Sequence, residues 1–563
     1  MTNYLSLPII LLIGSALRLA RLDSKPLWAD EIFTAIFSLG GSFDNIPFNQ
    51  IISLSRIPSF FSLNPEASCR DIAHNLTVQS THPPLFFCLM HAGLVRLSPF
   101  DLPLAWKLRI LPAFLGILAI AAIYLLNRVA FSPAAGLMGG ALAAVSPFGV
   151  YQSQEARHYT LPILLITIAL IFLLQLQQDL QKQRIRPWIG MGWAMANTLG
   201  LYVHYFCAIA FLAQVLTLIA YAYRLSPHRF PSPTTLFVLS FSLLPPLLYL
   251  PWLPILIEHF NSPKAGWLPP PQHIVPLLRM LLATILMVVV PPVEEQPLWV
   301  SIPAIVLTLV FLAAILPPAW RGLKRLATDP KTRDSTFILV SFILFVLLQF
   351  LAIVYILGKD ITVAPRYHFL YYPALCALLG ASCAQSYPNS PNSNDTILSP
   401  HPPLSPSPPL PWLLLSVSFV SSLCVITNLA FVKPYYPLAV AQKLNRSSGF
   451  TLVVMGYSDT QQIALGLSYA LALERLPKSS TQTRDWMFID SSQGLERVWG
   501  TLSEQSISPD NLWIFGPGLI REQYPQRLSL QEKTQCLIDP QEHYRIGIPY
   551  QLYRCRQHRA GLS

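Results

Sequence analysis

The sequence predicts a polytopic α-helical membrane protein that ends in a small C-terminal α/β domain. Hydrophobic residues make up 53% of the 563 residues and charged residues only 12%, whereas a soluble domain carries about 25% charged residues. Long apolar runs recur up to residue 430, and shorter apolar segments follow them. The net charge of +11 fits basic cytoplasmic loops and anionic headgroups, so we expect membrane lipids and no nucleic acid as partners.

About eleven transmembrane helices are expected, because each apolar run approaches the roughly 17–25 residues that cross a bilayer. The predicted spans are Tyr4–Ala20, Arg109–Asn127, Ala134–Tyr151, Tyr159–Leu176, Trp188–His204, Tyr205–Tyr223, Thr235–Ile257, Leu298–Leu316, Ser335–Leu357, Tyr367–Ala384 and Trp412–Ala430. The first run lacks a convincing small-residue cleavage site, so it is expected to be a retained span rather than a signal peptide.

Two further apolar runs, 83–98 and 274–292, are predicted to be helices in the outer interface rather than spans. Only this assignment places all of the basic loops in the cytoplasm, as the positive-inside rule requires. These loops are 177–187, 224–234 and 317–334. Three basic residues at or after the end of the first span oppose this topology, since it leaves them on the outer side: Arg18, Arg21 and Lys25.

The composition changes along the chain predict four parts. They are a transmembrane domain over 1–385, a proline- and serine-rich cytoplasmic linker over 386–411, a last span over 412–430 and an extracytoplasmic α/β domain over 431–563. In the last part, short apolar segments predict strands at Thr451–Tyr457, Asp485–Asp490 and Asn511–Phe515, with helices at Gln461–Glu474 and Gln493–Leu502 between them.

Among the eight cysteines, only Cys536 and Cys555 can form a bridge within the C-terminal domain. Neither has CxxC spacing, so the cysteines indicate no metal cluster and no redox motif.

Ionisable residues gather on one predicted face of the membrane and are nearly absent from the centres of the spans. The outward-facing groups are Asp30-Glu31, His82, the run 155–159, the run 204–206, Glu258-His259 and the run 365–368. A transporter or ion pump would hold such groups near the bilayer midplane. The pattern therefore favours a membrane-embedded enzyme whose active site lies at the outer surface.

These residue types suit sugar transfer from a polyprenyl phosphate. A carboxylate at the membrane boundary, Asp30 or Glu31, can deprotonate the acceptor hydroxyl. Arg157 and Arg366 can stabilise the leaving phosphate, because a guanidinium stays charged and donates two parallel hydrogen bonds. His82 and His204 can orient substrate, donate to phosphate or bind a divalent cation; no other cofactor is indicated.

Structural interpretations stay open for each of these residues. Asp30 and Glu31 can simply begin the short helix that follows them, and Glu155 and Arg157 can form an interfacial ion pair. Arg366 can snorkel from the end of a span. A histidine at a helix junction, such as His204, is commonly structural.

The set of motifs resembles the GT-C superfamily of glycosyltransferases over residues 5–385. The motifs are the acid pair after the first span, the His-Pro-Pro-Leu run at 82–85, Ser-Gln-Glu-Ala-Arg-His-Tyr at 153–159, His-Tyr-Phe at 204–206 and Pro-Arg-Tyr at 365–367. Within the superfamily they are similar to the family 39-like branch, which is related to dolichyl-phosphate-mannose–protein mannosyltransferases and lipid A aminoarabinose transferases.

The resemblance implies a GT-C fold and inverting hexosyl or pentosyl transfer at the outer face, with Asp30 as the base and Glu31 beside it. It also implies substrate or phosphate binding by the other motif residues, which are His82, Glu155, Arg157, Tyr159, His204, Arg366 and Tyr367. Two positions depart from the pattern. His82 replaces the lysine of aminoarabinose transferases, and Thr81 replaces an acidic residue, which weakens the case for a metal site.

The sequence therefore predicts an integral plasma-membrane glycosyltransferase whose active site and C-terminal domain are extracytoplasmic. The donor is expected to be a polyprenyl-phosphate-linked sugar, and the acceptor a lipid, glycan or protein hydroxyl. Two alternatives from other classes remain: a transporter or flippase of lipid-linked sugars, and a membrane scaffold that presents the C-terminal domain.

Overall fold

A computed structural model describes residues 2–262, 268–384, 410–477, 482–531 and 534–557. These residues form two compact units. The first, here called the helical unit, comprises 1–22, 80–86 and 109–431, and the second, the sheet unit, comprises 23–79, 87–108 and 432–563. Residues 386–409 of the predicted linker lie outside the described residues, and the four predicted domain boundaries stay predictions.

The described residues contain α-helices α1 to α21 and β-strands β1 to β7. The helices are Thr2–Leu19, Ala29–Ser38, Cys69–Gln79, Leu85–Leu97, Leu104–Ala130, Pro133–Val145, Pro147–Ser153, Thr160–Gln181, Pro187–Leu201, Cys207–Leu225, Pro233–Ser240, Leu244–Tyr249, Leu253–Asn261, Val275–Leu286, Leu298–Thr328, Arg333–Tyr355, Tyr372–Ala384, Leu410–Ile426, Pro437–Leu444, Thr460–Glu474 and Leu495–Ser503. The strands are Ile51–Ser53, Phe450–Tyr457, Thr483–Asp490, Asn511–Phe515, Arg527–Leu530, Thr534–Tyr544 and Tyr550–Gln557.

The predicted α-helical membrane protein is confirmed by the helical unit. Within the described residues, six helical segments are long and apolar enough to cross a membrane when Pro233–Asn261, which comprises α11 to α13, is counted as one. There are seven if the bent pair α6–α7 is also one span. Other predicted spans coincide with shorter apolar helices, so the count of eleven stays a prediction. The two predicted interfacial runs contain α4 and α14, whose 13 and 12 residues are too few to span a bilayer.

One predicted span, Ala134–Tyr151, is bent in the structure. Helices α6 and α7 meet at an angle of 58°, because Pro147 has no N–H to donate to the carbonyl of Ala143 and its ring clashes there. The guanidinium of Arg18 donates instead, to the carbonyls of Ala143 and Ala144, at 2.9 Å each. Arg18 is only 2% exposed, so it is a buried helix cap and not the loop charge that opposed the predicted topology.

Gln154, which follows α7, caps the end of α1 in turn. Its side-chain amide donates to the carbonyls of Leu17, at 3.1 Å, and Ala20, at 2.9 Å, which the last turn of a helix leaves without partners. Because Gln154 begins the loop 154–159, this contact holds that loop at the end of the first helix.

Replacing Arg18 by methionine is expected to destabilise the helical unit. The variant leaves the carbonyls at the helix break without their charged donor, which should lower the free energy of unfolding by about 3 kcal/mol. Thermal unfolding of the purified protein in detergent measures this effect. The matched control is Arg128→Met, which removes an exposed arginine with one long hydrogen bond of 3.4 Å to Tyr124; equal melting temperatures for both variants would contradict the capping role.

The sheet unit contains a seven-stranded sheet in the order β1-β3-β2-β4-β7-β6-β5. Strands β3, β2 and β4 are parallel, and α20 and α21 are their crossover helices, as expected for buried parallel strands. The other neighbours are antiparallel. The three predicted strands and two predicted helices of this region are confirmed as β2, β3, β4, α20 and α21.

The chain segment that follows the first helix is part of the sheet unit. Strand β1 pairs with β3 at the edge of the sheet, and α2 packs against α20. Two disulfides lie in this unit: Cys536–Cys555, as predicted, and Cys69–Cys88, which the sequence did not indicate. The helix that carries Asp30 and Glu31 therefore belongs to the same packed body as the C-terminal strands.

Candidate active site

Four loop segments of the helical unit bring histidine, arginine and tyrosine side chains together. We call these side chains the histidine cluster: His82, Arg157, His158, Tyr159, His204, Arg366 and Tyr367. The segments precede α4, join α7 to α8, join α9 to α10, and precede α17. The ring centroids of His82 and His158 are 5.2 Å apart, and those of His158 and His204 4.7 Å apart. The ring of Tyr367 lies 6.2 Å from that of His204, so the cluster brings together residues from four of the five sequence motifs.

His82 is held between Ser80 and Arg157. Its Nδ1 lies 2.8 Å from the Ser80 hydroxyl, and its Nε2 lies 3.2 Å from Nη2 of Arg157. Because a guanidinium can only donate hydrogen bonds, Nε2 accepts, and the ring proton lies on Nδ1. Burial, reinforced by the positive charge of Arg157, lowers the pKa of His82 well below its usual value, which keeps the ring neutral as this hydrogen bond requires.

His204 lies in the turn between α9 and α10, outside both helices. Its Nδ1 accepts the backbone N–H of Phe206 at 3.0 Å, so the proton of the neutral ring lies on Nε2. Burial and the positive charge of Arg157 lower its pKa to about 3. His204 therefore presents a neutral N–H donor on the side of its ring opposite the backbone contact.

His158 lies in one of the sequence motifs, but no role was predicted for it. Its side chain is fully buried, and its ring centroid is 4.5 Å from that of Tyr159. Neither ring nitrogen has a hydrogen-bond partner within the described residues. Burial and the neighbouring His204 lower the pKa of His158 well below its usual value, so the ring contributes one unused donor and one unused acceptor to the cluster.

Arg366 is attached to α7 through its backbone. The side-chain amide of Gln152, which is fully buried, donates to the Arg366 carbonyl at 3.2 Å. The guanidinium carbon of Arg366 lies 5.6 Å from the centroid of the Tyr367 ring, and its charge also lowers the pKa values of His82 and His204. The positive charge of Arg366 therefore helps, as that of Arg157 does, to keep these two imidazoles neutral.

A buried aspartate holds the loop that precedes Arg366. Asp360 is buried, and its carboxylate accepts a hydrogen bond of 2.6 Å from the Arg279 guanidinium on α14. The other carboxylate oxygen accepts the N–H of Thr362 at 3.0 Å. The predicted interfacial helix α14 therefore holds the loop that leads to Arg366.

Glu155 and Tyr159, both predicted site residues, are each 1% exposed. The guanidinium carbon of Arg157 lies 5.8 Å from the Tyr159 ring centroid, a distance at which a cation and an aromatic face attract each other. The backbone carbonyl of Glu155 accepts the N–H of Arg157 at 2.7 Å, so the two residues form one tight turn.

Asp30 and Glu31 lie in the sheet unit, at the start of α2, and the structure distinguishes between them. The carboxylate of Glu31 is fully buried, accepts the Trp28 N–H at 3.4 Å and pairs with the Lys433 ammonium at 3.1 Å. Asp30 is half-buried and lies in the first helical turn, where a negative charge is stabilised by the helix dipole. Asp30 is therefore the accessible carboxylate of the pair.

The described residues contain no group of three or more histidine, cysteine, aspartate or glutamate side chains that could hold a metal ion. They offer no ligand set for the divalent cation that the sequence left open, so that cation stays a prediction and no chemical step is assigned to it.

Acidification is expected to destabilise the helical unit through its buried histidines. An unfolded histidine has a pKa of about 6.5, whereas that of folded His204 is about 3. Between these values the unfolded chain binds more protons, so stability falls as the pH falls. For His204 the loss reaches about 2 kcal/mol between pH 6.5 and 5.

The melting temperature measured against pH tests this. His204→Gln should show a shallower decline on acidification than the parent protein, because one buried titrating group is gone. The control is His74→Gln, since His74 is exposed on α3, and its slope should equal that of the parent. Identical slopes for His204→Gln and the parent would show that His204 is not a buried neutral histidine.

Comparison with known proteins identifies the class of this fold. The family model of dolichyl-phosphate-mannose-protein mannosyltransferases matches residues 81–250. The apo crystal structure of ArnT from Cupriavidus metallidurans is 12% identical with a TM-score of 0.50, and the match covers 91% of this chain and 92% of that one. For the same protein bound to undecaprenyl phosphate the identity is 12%, the TM-score 0.50 and the coverage 98% and 97%.

A third structure, the archaeal oligosaccharyltransferase AglB from Archaeoglobus fulgidus, is 13% identical with a TM-score of 0.43 over 92% of this chain and 69% of that one. No curated protein matches the chain in sequence. The chain is an integral membrane protein with the GT-C fold, and its residues 81–250 match the mannosyltransferase family model. The predicted fold class is confirmed.

Proposed function

We propose that this protein transfers a sugar from a polyprenyl monophosphate to a hydroxyl of a lipid, glycan or protein at the outer face of the plasma membrane. The main support for the proposal is the histidine cluster. In it, burial and the positive charges of Arg157 and Arg366 lower the pKa values of three imidazoles and keep them neutral. Guanidinium groups and neutral imidazole N–H donors together suit a phosphate monoester. The undecaprenyl phosphate bound by ArnT, whose fold this chain shares, supports a polyprenyl phosphate as the ligand.

In the proposed reaction, the acceptor hydroxyl oxygen attacks the anomeric carbon while its proton passes to the Asp30 carboxylate. The bond between the anomeric carbon and the phosphate oxygen breaks, and the polyprenyl phosphate leaves as an anion. Arg157 and Arg366 stabilise the negative charge that develops on this phosphate. Because attack and departure take place on opposite faces of the sugar, the anomeric configuration inverts.

The disulfides support the proposed side of the membrane. Both Cys69–Cys88 and Cys536–Cys555 belong to the sheet unit, as does Asp30. Disulfides persist in oxidising compartments such as the periplasm and the cell exterior. The free cysteines of the described residues all belong to the helical unit. An extracytoplasmic sheet unit also agrees with the basic loops that the sequence places in the cytoplasm.

Mass spectrometry of cell envelopes with and without the protein tests the proposal and identifies both substrates. We expect one glycan-modified lipid, polysaccharide or protein to disappear when the protein is absent, and to return with the parent gene but not with the Asp30→Asn variant. Restoration by Asp30→Asn would contradict Asp30 as the base. An unchanged set of glycoconjugates in the absence of the protein would contradict sugar transfer itself.

A further inference from the structure

The first turn of α2 is held by an ion pair with a residue that is distant in sequence. The Glu31 carboxylate is fully buried and lies 3.1 Å from the ammonium of Lys433, whose side chain is 6% exposed. Lys433 follows the last apolar helix, α18, and no sequence motif pointed to it. Because Glu31 directly follows Asp30, this buried ion pair fixes the backbone that carries the Asp30 carboxylate.

Helix α20 supports both sides of this ion pair through two consecutive residues. The Ser468 hydroxyl donates to the Leu27 carbonyl at 2.6 Å, just before the start of α2. The Tyr469 hydroxyl donates to the Tyr435 carbonyl at 3.2 Å, just after Lys433. The segment that carries Lys433 and the segment that leads into α2 are therefore held by the same helix.

The backbone beside Lys433 has an unfavourable conformation that its surroundings maintain. Tyr435 and Tyr436 have φ angles of 63° and 50°, in the left-handed region that side chains with a Cβ rarely adopt. Gly547 packs against this backbone so closely that a Cβ there would lie 2.6 Å from the Tyr435 carbonyl oxygen. Such strain persists where neighbouring contacts over-determine a segment, and it is common at functional sites.

We propose that Lys433 is a positioning residue for the catalytic base: through Glu31 it sets the place of the first turn of α2, and hence of Asp30. This inference rests on the proposed function, in which Asp30 takes the proton of the acceptor hydroxyl. Removing Lys433 takes away the positive charge 3.1 Å from the buried Glu31 carboxylate, a strongly unfavourable change. The turn must then rearrange, and a displacement of about 1 Å at a reacting group costs roughly 100-fold in rate.

The test compares Lys433→Met, Lys433→Arg and the double variant Glu31→Gln/Lys433→Met in donor-consumption assays. Lys433→Met should lower kcat by about 100-fold with little change in the KM for donor, whereas Lys433→Arg, which keeps the charge, should retain most of the activity. The double variant removes both charges, so its melting temperature should return toward that of the parent. It also lacks the ion pair that fixes the first turn of α2, so its kcat should stay low. Parent-like kcat in Lys433→Met or in the double variant would overturn the proposal.

The control is Lys443→Met in α19 of the same unit, which removes a lysine whose ammonium lies 4.6 Å from the Tyr544 ring centroid; its kcat should equal that of the parent. Hydrogen exchange separates this inference from the proposed function. Amides of the first turn of α2 should exchange faster in Lys433→Met and not in Lys443→Met. If the parent protein transfers no sugar, the proposed function is wrong. If the amides of the first turn of α2 exchange at the same rate in Lys433→Met as in the parent, Lys433 does not position this turn, whatever the activity of the variant.

Discussion

Replacing Asp30 by asparagine should lower the rate of sugar transfer by about 10³-fold, within the range that a positioned general base contributes. The amide keeps the size of the side chain but cannot take the proton of the acceptor hydroxyl. The melting temperature should change little, because asparagine has the same size and can still accept hydrogen bonds, and the buried ion pair of Glu31 with Lys433 is kept. Single-turnover kinetics with a defined donor and acceptor, together with the melting temperature, measure both expectations.

Two variants serve as controls for this experiment. Asp23→Asn neutralises an exposed carboxylate of the same unit and should leave transfer unchanged. Glu31→Gln should lower the melting temperature because it removes one partner of a buried ion pair. If Asp30→Asn transfers sugar as fast as the parent, another group is the base.

The second large effect is expected at Arg157. Changing it to lysine should lower kcat/KM by about 10²- to 10³-fold, the scale of losing one electrostatic contact to a developing negative charge. Lysine keeps the charge but lacks the planar fork that donates two parallel hydrogen bonds. The change also alters the bond that Nη2 of Arg157 donates to Nε2 of His82. Steady-state kinetics with a polyprenyl-phosphate sugar measures the loss.

Binding of the lipid phosphate alone gives an independent check. Undecaprenyl phosphate should bind the parent more tightly than undecaprenol, and Arg157→Gln should remove most of that difference. The control is Arg128→Gln, since Arg128 is exposed at the end of α5 and should not affect binding. Equal binding of both lipids by the parent would contradict a phosphate site in the histidine cluster.

Much of the fold could be predicted because its signals are local. Strands β2, β3 and β4 are short buried apolar runs, and their predicted bounds agree with the structure to within two residues. Strands β1, β5, β6 and β7 were missed. In β6, Thr534–Tyr544, Pro540 and charged residues obscure the alternating pattern of a strand. Pro147 indicates a bend between α6 and α7, but the apolar run continues on both sides of it and therefore predicted a single span.

Most residues of the candidate site could be predicted from the sequence, but the contacts that hold them in place could not. His82, Arg157 and His204 stand in recognisable motifs, and the structure brings them together. The contacts that hold the site residues and their neighbours join positions that are distant in sequence, such as the hydrogen bond of Gln152 to Arg366 and the ion pair of Glu31 with Lys433. No local sequence pattern connects such pairs. Arg18 was misleading for a related reason: a count of loop charges does not include the backbone carbonyls that a buried guanidinium can satisfy.

A glycosyltransferase consumes its lipid-linked donor, whereas a transporter does not, and an assay that follows both halves of the donor separates the two. The purified protein is placed in vesicles that contain undecaprenyl phosphate carrying a radiolabelled sugar, and acceptor membranes are added. We predict that the label moves to a product without the polyprenyl chain, that one undecaprenyl phosphate is released for each sugar transferred, and that Asp30→Asn stops both. If the label instead crosses the bilayer still attached to its lipid, with the amount of donor unchanged, the protein is a transporter of lipid-linked sugars and not a transferase.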